Sequence, residues 1–496
     1  MQSYFQNENP FNILALFISR LPQLDEEMYR SKDKRDALLD TENWDNQVFS
    51  FLSTLDEFND IDALLRDGIT QESLDRLQKW HEDNPGFSPM LSLICGLDYT
   101  LSWDNILRSS YLVVALKDGF DALNDNVEET GILILPRVPS LNDPLDRTEV
   151  RSGAPQKTWA YHWEPGINEE LTNTYYVRKN ELTVNGTSYR VIHKIIRDWV
   201  VGNPTLFAVS PISKNAQLLE PICYVSEGKK RFAIRGVENP ELIRRRVRAA
   251  YIKAAEAGAS LLIYPEMLGD ESMFTPAEGF SDFFSQLGDE VAEAGYSSPA
   301  LILPPTFWHD KHNELYVIGG DGGYVCVQEK KNPFLYCSNT VHEKYLEDLQ
   351  GVAPVVQVIH VPHIGRLTFP ICKDYLVPGY RELLVRTLRS TIMLCPSYSQ
   401  GKFSFSISVP AELEYGCYSL WANTCSAFPE TNSPPTYIGL FAAPNTELVQ
   451  RFEPKCKGLC GSVDDACLFF VEIKRTGMTP EITVREHIHP TIMEQQ

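Results

Sequence analysis

The sequence has no long apolar run. Nothing in its 496 residues approaches the ~18 consecutive apolar positions that a membrane-spanning helix requires. Its first residues, MQSYFQNENPFNILALFISR, place no cationic segment ahead of a short, interrupted apolar stretch, so no secretory signal is expected. The first two hundred residues contain no GxxxxGK[ST] and no GxGxxG phosphate-binding loop. Basic charge is also short: Lys+Arg is 45 against Asp+Glu 66, a net of −21. That balance excludes a chain built as a whole to bind nucleic acid, and it disfavours docking on anionic membrane.

Cysteine is not lacking, but cysteine pairing is. There are 11 cysteines, an odd number, and no CxxC pair. Cys95 in SLICGL and Cys395 in IMLCPS stand in apolar runs and read as buried reduced thiols of a cytoplasmic protein. Cys456, Cys460 and Cys467, with His487 and His489 beyond them, match no common zinc spacing, so no metal and no cofactor is expected.

What is present is a globular composition, 43% hydrophobic and 11% aromatic. At roughly 100–200 residues per domain, this length suggests two or three units. Charge divides the chain. Residues 1–150 hold 28 acidic and 12 basic residues, a net of −16, which leaves −5 for the rest. The acidic part reads as solvated helical surface or as a docking face for a basic protein partner.

Patterning gives three expected regions. Residues 1–125 form an acidic, mainly helical region, with Phe11, Leu14, Phe17, Ile18 and Leu21 at helical spacing and Thr70 as a helix cap. Residues 126–220 form a proline-punctuated connector and a strand-rich segment with a hairpin turn at Asn185-Gly186. Residues 221–496 alternate helix and buried strand, the mark of a layered α/β domain. There Asn239 caps a helix, Pro240 opens it and Gly258 ends it, and ASLLIYPE follows as a strand buried on both faces.

Three polar residues stand at the ends of apolar strands. Glu266 follows LLIYP, Lys331 closes GYVCVQEKK, and Cys372 follows RLTFPI. Ligand sites of α/β layers lie at the carboxyl ends of strands, which is where chemistry is expected. A thiol is a weak nucleophile until it loses its proton. A carboxylate beside it can act as general base, and an ammonium can hold the thiolate and then the oxyanion of a tetrahedral intermediate. Such a set attacks a carbonyl or nitrile carbon and needs no metal.

Residues 230–475 resemble the nitrilase, or carbon–nitrogen hydrolase, superfamily. AAEAGASLLIYPEML is similar to its first motif, GYVCVQEKKNPF to its lysine hairpin and ICKDYLVP to its cysteine motif. AELEYGCYSLWANTC and ACLFFVEI resemble its later elements. The resemblance implies a four-layer α-β-β-α sandwich preceded here by the mainly helical N-terminal region. It implies Glu266 as base, Lys331 as the stabilising cation and Cys372 as nucleophile, with Lys330 the alternative register for the lysine. The family's second glutamate is matched by Glu347, with Glu343 the alternative. Lys373 stands where the family often has an aromatic residue; a cation there favours an anionic substrate or points to solvent.

The implied activity is hydrolysis of a non-peptide C–N bond in an amide-like small molecule, through a cysteine thioester, by a cytoplasmic homo-oligomer. The alternative is a regulatory or defence-type protein in which this domain is an effector or scaffold for a partner.

Overall fold

A computed structural model describes residues 8–21, 41–102, 105, 127–137, 141, 167–169, 171–196, 199, 202–212, 216–270, 279–337, 343–401, 403–413, 416–427, 437–444, 450–456, 467–476 and 479–485. Cys460, His487 and His489 lie outside them. The chain divides into two compact units, Met1–Pro139 with Leu145–Ile195, and Ser140–Pro144 with Ile196–Gln496. The sequence-based limits at 125 and 220 fall inside these units. No helix among the described residues is long and apolar enough to cross a membrane.

The first unit contains helices Pro10–Ser19, Thr41–Leu52, Ile61–Asp67, Gln71–Asp83 and Phe87–Thr100. Their starts follow the expected chemistry. Asn9 caps the first helix ahead of Pro10, and the Thr70 hydroxyl accepts the Ser73 N–H at 3.3 Å. Phe11, Leu14, Phe17 and Ile18 are buried together with Leu93, Ile94 and Leu97 of the last helix. Gly96 has no Cβ to hold that helix away, since one would meet the Val48 and Leu52 side chains at 2.8 and 2.9 Å. Two strands, Ile132–Pro136 and Thr174–Arg178, pair antiparallel in the same unit. The Asn185-Gly186 turn joins a short hairpin, with both residues at positive φ.

A buried carboxylate fastens this unit. Asp98, 1% exposed, accepts hydrogen bonds from the N–H groups of Thr172, Asn173 and Thr174 and from the Thr174 hydroxyl, at 2.6–2.9 Å. Burial is the largest influence and pushes its carboxyl above the ordinary range, although these donors pull it back.

The second unit is built on two large sheets. In the first, Thr205–Val209, Leu261–Ile263 and Leu301–Leu303 run parallel side by side. His312–Gly319 continues antiparallel from Leu301–Leu303, and Tyr324–Glu329 pairs with it. The central strands are short, wholly apolar and buried on both faces, as a covered parallel sheet demands. In the second sheet Gly365–Thr368, Ile392–Ser397 and Tyr418–Asn423 are parallel neighbours, flanked by Val355–Val361 and Gly439–Ala443. Helix Pro240–Glu256 packs Val247, Ala250, Tyr251 and Ala254 into the core beside the first sheet. Its Asn239 side chain accepts the Leu242 N–H at 3.0 Å, and Gly258 stands at φ 73° just past its end, as expected. A smaller sheet orders Leu335–Cys337, Lys344–Glu347, Lys229–Ala233 and Ile222–Ser226.

Asp98→Ala orphans three backbone donors, of which the Thr174 N–H is buried and costs roughly 1–3 kcal/mol to leave unpaired. Urea denaturation is expected to show the first unit weakened by about 1–3 kcal/mol. A loss below about 1 kcal/mol contradicts the fastening role.

Candidate active site

Strand ends from all three sheets converge in the second unit. Glu266 lies three residues past Leu261–Ile263, and Lys330 directly follows Tyr324–Glu329. Glu347 closes Lys344–Glu347, and Cys372 follows Gly365–Thr368. All four side chains are buried, with exposures of 5% for Cys372 and no more than 1% for the others.

The Lys330 ammonium is held between the two carboxylates. Its Nζ lies 2.8 Å from Glu266 Oε1 and 2.7 Å from Glu347 Oε2. Burial works against the charge, but Glu266, Glu347 and Cys372 outweigh it and raise the ammonium above its ordinary range. The lysine is therefore cationic at any working pH. Burial raises the Glu347 carboxyl, partly offset by Lys330, and the Phe334 N–H donates to it at 2.9 Å.

Cys372 sits on a backbone elbow with φ 45° and ψ −97°. A non-glycine residue there carries strain of order 1–3 kcal/mol, of the kind that collects at functional sites. Its N–H is anchored to the Pro396 carbonyl at 2.9 Å. The Glu266 carboxylate and the Ser397 hydroxyl are among the polar groups that act on its thiol. Burial and the Glu266 charge push the thiol well above its ordinary range, against the pull of Lys330 and Ser397. The resting residue is thus a thiol under the influence of the Glu266 carboxylate.

Of the expected residues, Glu266, Cys372 and Glu347 come together. Lys331 does not join them, and the cation of the cluster is the neighbouring Lys330. Lys331 Nζ donates instead to the Ala353 carbonyl at 2.6 Å and lies 3.5 Å from Glu329. The cause is strand parity. Cys326, Gln328 and Lys330 are buried on one face of the strand, while Val325, Val327 and Glu329 take the other. The apolar valines thus mark the face away from the site. Glu343 is also outside the cluster, paired with Lys230 at 2.5 Å in an exposed position.

Three further residues complete the arrangement. Asn313, wholly buried, donates from Nδ2 to Glu266 Oε1 at 2.9 Å and to Glu347 Oε1 at 3.4 Å. Its own Oδ1 accepts the Thr306 hydroxyl at 2.7 Å, which fixes the amide's orientation. Asp374 accepts the N–H groups of Lys331 and Asn332 and the Asn332 side chain at 2.7–3.1 Å. It also takes the Ile371 N–H at 3.3 Å, so it ties the chain beside Lys330 to the chain beside Cys372. Burial pushes Asp374 up to about 6, against the pull of those donors and of Lys330. Ser397 is the third. It closes strand Ile392–Ser397 and was not among the residues expected from the sequence. The available signal was a polar residue at the carboxyl end of a wholly apolar strand.

On the outer face of the same hairpin, His312, Glu314 and Glu329 bring potential metal-ligand atoms within 4.8 Å of one another. His309 meets Glu314 at 2.8 Å, Tyr316 donates to Glu314 at 2.6 Å, and His312 meets Glu329 at 3.0 Å. These pairs satisfy both carboxylates with the chain's own groups.

No protein-family model matches the chain, and no curated protein matches it. Solved structures do. The C. elegans NitFhit protein is similar at 15% identity and a TM-score of 0.36, over 55% of this chain and 62% of that one. This chain thus spans less than two thirds of NitFhit. Saccharomyces cerevisiae Nit3, a member of branch 10 of the nitrilase superfamily, is similar at 12% identity and a TM-score of 0.34, over 59% and 93% of the two chains. A mutant of the Nesterenkonia AN1 amidase, from the nitrilase superfamily, is similar at 14% identity and a TM-score of 0.35, over 59% and 94%.

Lys330→Met leaves two buried carboxylates without their cation, a loss of about 3–5 kcal/mol for a broken buried pair. It is expected to lower stability and to slow alkylation of Cys372 by iodoacetamide. Lys331→Met is expected to leave both close to wild type. The reverse result returns the lysine to the register first expected.

Proposed function

We propose that the second unit is a carbon–nitrogen hydrolase of the nitrilase type, a four-layer α-β-β-α sandwich that cleaves an amide-like small molecule through a cysteine thioester. The observation that carries the reading is the strained Cys372 elbow, buried in the same site as a Glu266 carboxylate paired at 2.8 Å with a fully buried Lys330.

The chemistry follows from the resting charges. Cys372 is held as a thiol, so its proton leaves as the sulfur attacks and not before. Glu266 takes that proton while the C–S bond forms. Lys330 keeps its own proton throughout and offsets the negative charge that moves from sulfur to the carbonyl oxygen. Collapse of the tetrahedral intermediate breaks the C–N bond. Glu266 returns the proton to the departing ammonia or amine, leaving a thioester on Cys372. Water activated by the freed Glu266 carboxylate then attacks the thioester carbon, and the acid leaves as the thiol re-forms. Glu347 and Asn313 touch Glu266 or Lys330 and hold them in register, so they are positioning residues. The acidic first unit is proposed to govern association with a partner or access to the site.

Two variants test the roles. Cys372→Ala exchanges one small side chain for another and is expected to abolish turnover with the fold intact by circular dichroism. Glu266→Gln keeps the shape but removes the base, and iodoacetamide labelling of Cys372 is expected to fall by about 10²–10⁴, the usual worth of a positioned general base. Turnover by Cys372→Ala rules out the thioester route, and undiminished labelling in Glu266→Gln removes the base from Glu266.

A further inference from the structure

The strand His312–Gly319 shows two different faces. Asn313 and Leu315 are buried, while His312, Glu314 and Tyr316 alternate with them on the outer side. The turn before it, at Asp310 and Lys311, has both residues at positive φ and sets His309 directly opposite His312. On the neighbouring antiparallel strand, Glu329 stands directly opposite Glu314. Like charges in such a pair repel, so this register costs stability unless a cation bridges it.

The donor atoms are already gathered. One ligand atom from each of His312, Glu314 and Glu329 lies within 4.8 Å of the other two. Two ligands on one zinc ion, each at about 2.0–2.2 Å, stand at most about 4.4 Å apart, so only a slight closing is needed. The atoms are also available. His309 Nε2 and the Tyr316 hydroxyl both meet Glu314 at Oε2, and Glu314 Oε1 takes no hydrogen bond from a described residue. His312 Nδ1 faces Glu329 Oε1 at 3.0 Å, and a metal replaces the proton shared between them. Lys331 and the Ala353 N–H lie at the other oxygen, Glu329 Oε2. Side-chain exposures of 28% for His312, 16% for Glu314 and 20% for Glu329 leave a path from solvent.

We propose that His312, Glu314 and Glu329 bind a divalent transition-metal ion of the zinc class, which clips together the two strands that carry Asn313 and Lys330. His309 and Tyr316 then serve as outer partners that orient the Glu314 carboxylate. One imidazole and two carboxylates suit a borderline ion of this kind. The ion stays outside the chemistry. Asn313 lies between His312 and Glu314, Lys330 directly follows Glu329, and the Lys330 N–H donates to the Asn313 carbonyl at 2.8 Å. The clip therefore holds from behind the hairpin that presents both residues to Glu266 and Glu347. The metal site does not depend on the reading of Cys372 as nucleophile; only its consequence for that site does.

The test uses the full chain, freed of metal with EDTA and dialysed against Zn²⁺, with metal analysis and hydrogen exchange read by mass spectrometry. Wild type is expected to retain one more zinc ion per chain than Glu314→Gln or His312→Ala, which leave the thiols and other histidines unchanged. His309→Ala is expected to weaken uptake by about 10–100-fold, the usual worth of an outer partner. Zinc is expected to slow exchange in the wild-type segments 312–319 and 324–329 and to leave both unchanged in Glu314→Gln. Glutamine keeps the shape of Glu314 and removes the repulsion with Glu329, and circular dichroism confirms that each variant is folded. Equal zinc uptake by wild type and both folded variants overturns the proposal. So does uptake without protection of the two strands. Loss of Cys372 labelling in wild type, by contrast, strikes the hydrolase reading and leaves the metal site standing.

Discussion

A single ammonium buried between two carboxylates organises the candidate site. Glu266, Lys330 and Glu347 come from different stretches of chain, and none of them reaches water. Removing isolated charges from solvent is costly, and only close pairing with hydrogen bonds at the remaining lone pairs offsets it. That requirement explains the surroundings. Asn313 spans both carboxylates, Phe334 and Tyr398 supply backbone donors, and Thr306 fixes the Asn313 amide. A buried triplet with one positive and two negative charges keeps one negative charge unspent. Cys372 stands where that charge can draw off its proton.

The same constraint sets the backbone. Cys372 adopts a conformation that an unconstrained residue avoids, and it is held there from two sides. Pro396 anchors its N–H, and Asp374, two residues on, binds the loop that carries Lys330 and Asn332. Asp374 thus couples the cysteine elbow to the lysine turn, so that the strained conformation and the position of the cation depend on each other. A polar network of this kind is rigid when every member is satisfied and costly when one is lost.

Much of this was legible in the sequence, and the failures have physical causes. Helix limits at Thr70, Asn239 and Gly258 could be read because cap chemistry is local. Glu266 and Cys372 could be read because each ends a short apolar run, and strand ends in such layers carry the chemistry. The lysine could not be fixed by that argument. The lysine hairpin GYVCVQEKKNPF carries two adjacent lysines, Lys330 and Lys331, which allow two registers. The structure resolves them by parity, with a bulge at Val317/Ile318 breaking the hairpin pairing upstream. Alternation then misleads, because the face bearing Val325 and Val327 is not the face of the site. Asn313 and Ser397 gave no motif of their own. Asn313 stands among polar neighbours in DKHNELY and Ser397 ends an apolar strand, so neither stands out locally; for Asn313 the importance comes from a partner distant in sequence, Glu266, 47 residues away.

The most direct test of the account is to catch the acyl group. The full chain is mixed with a panel of short aliphatic amides and quenched in acid; intact and peptide masses are then read while ammonia release is followed. The account predicts that any amide releasing ammonia adds the mass of its acyl group to Cys372. Ammonia release that leaves Cys372 unmodified and persists in Cys372→Ala contradicts it.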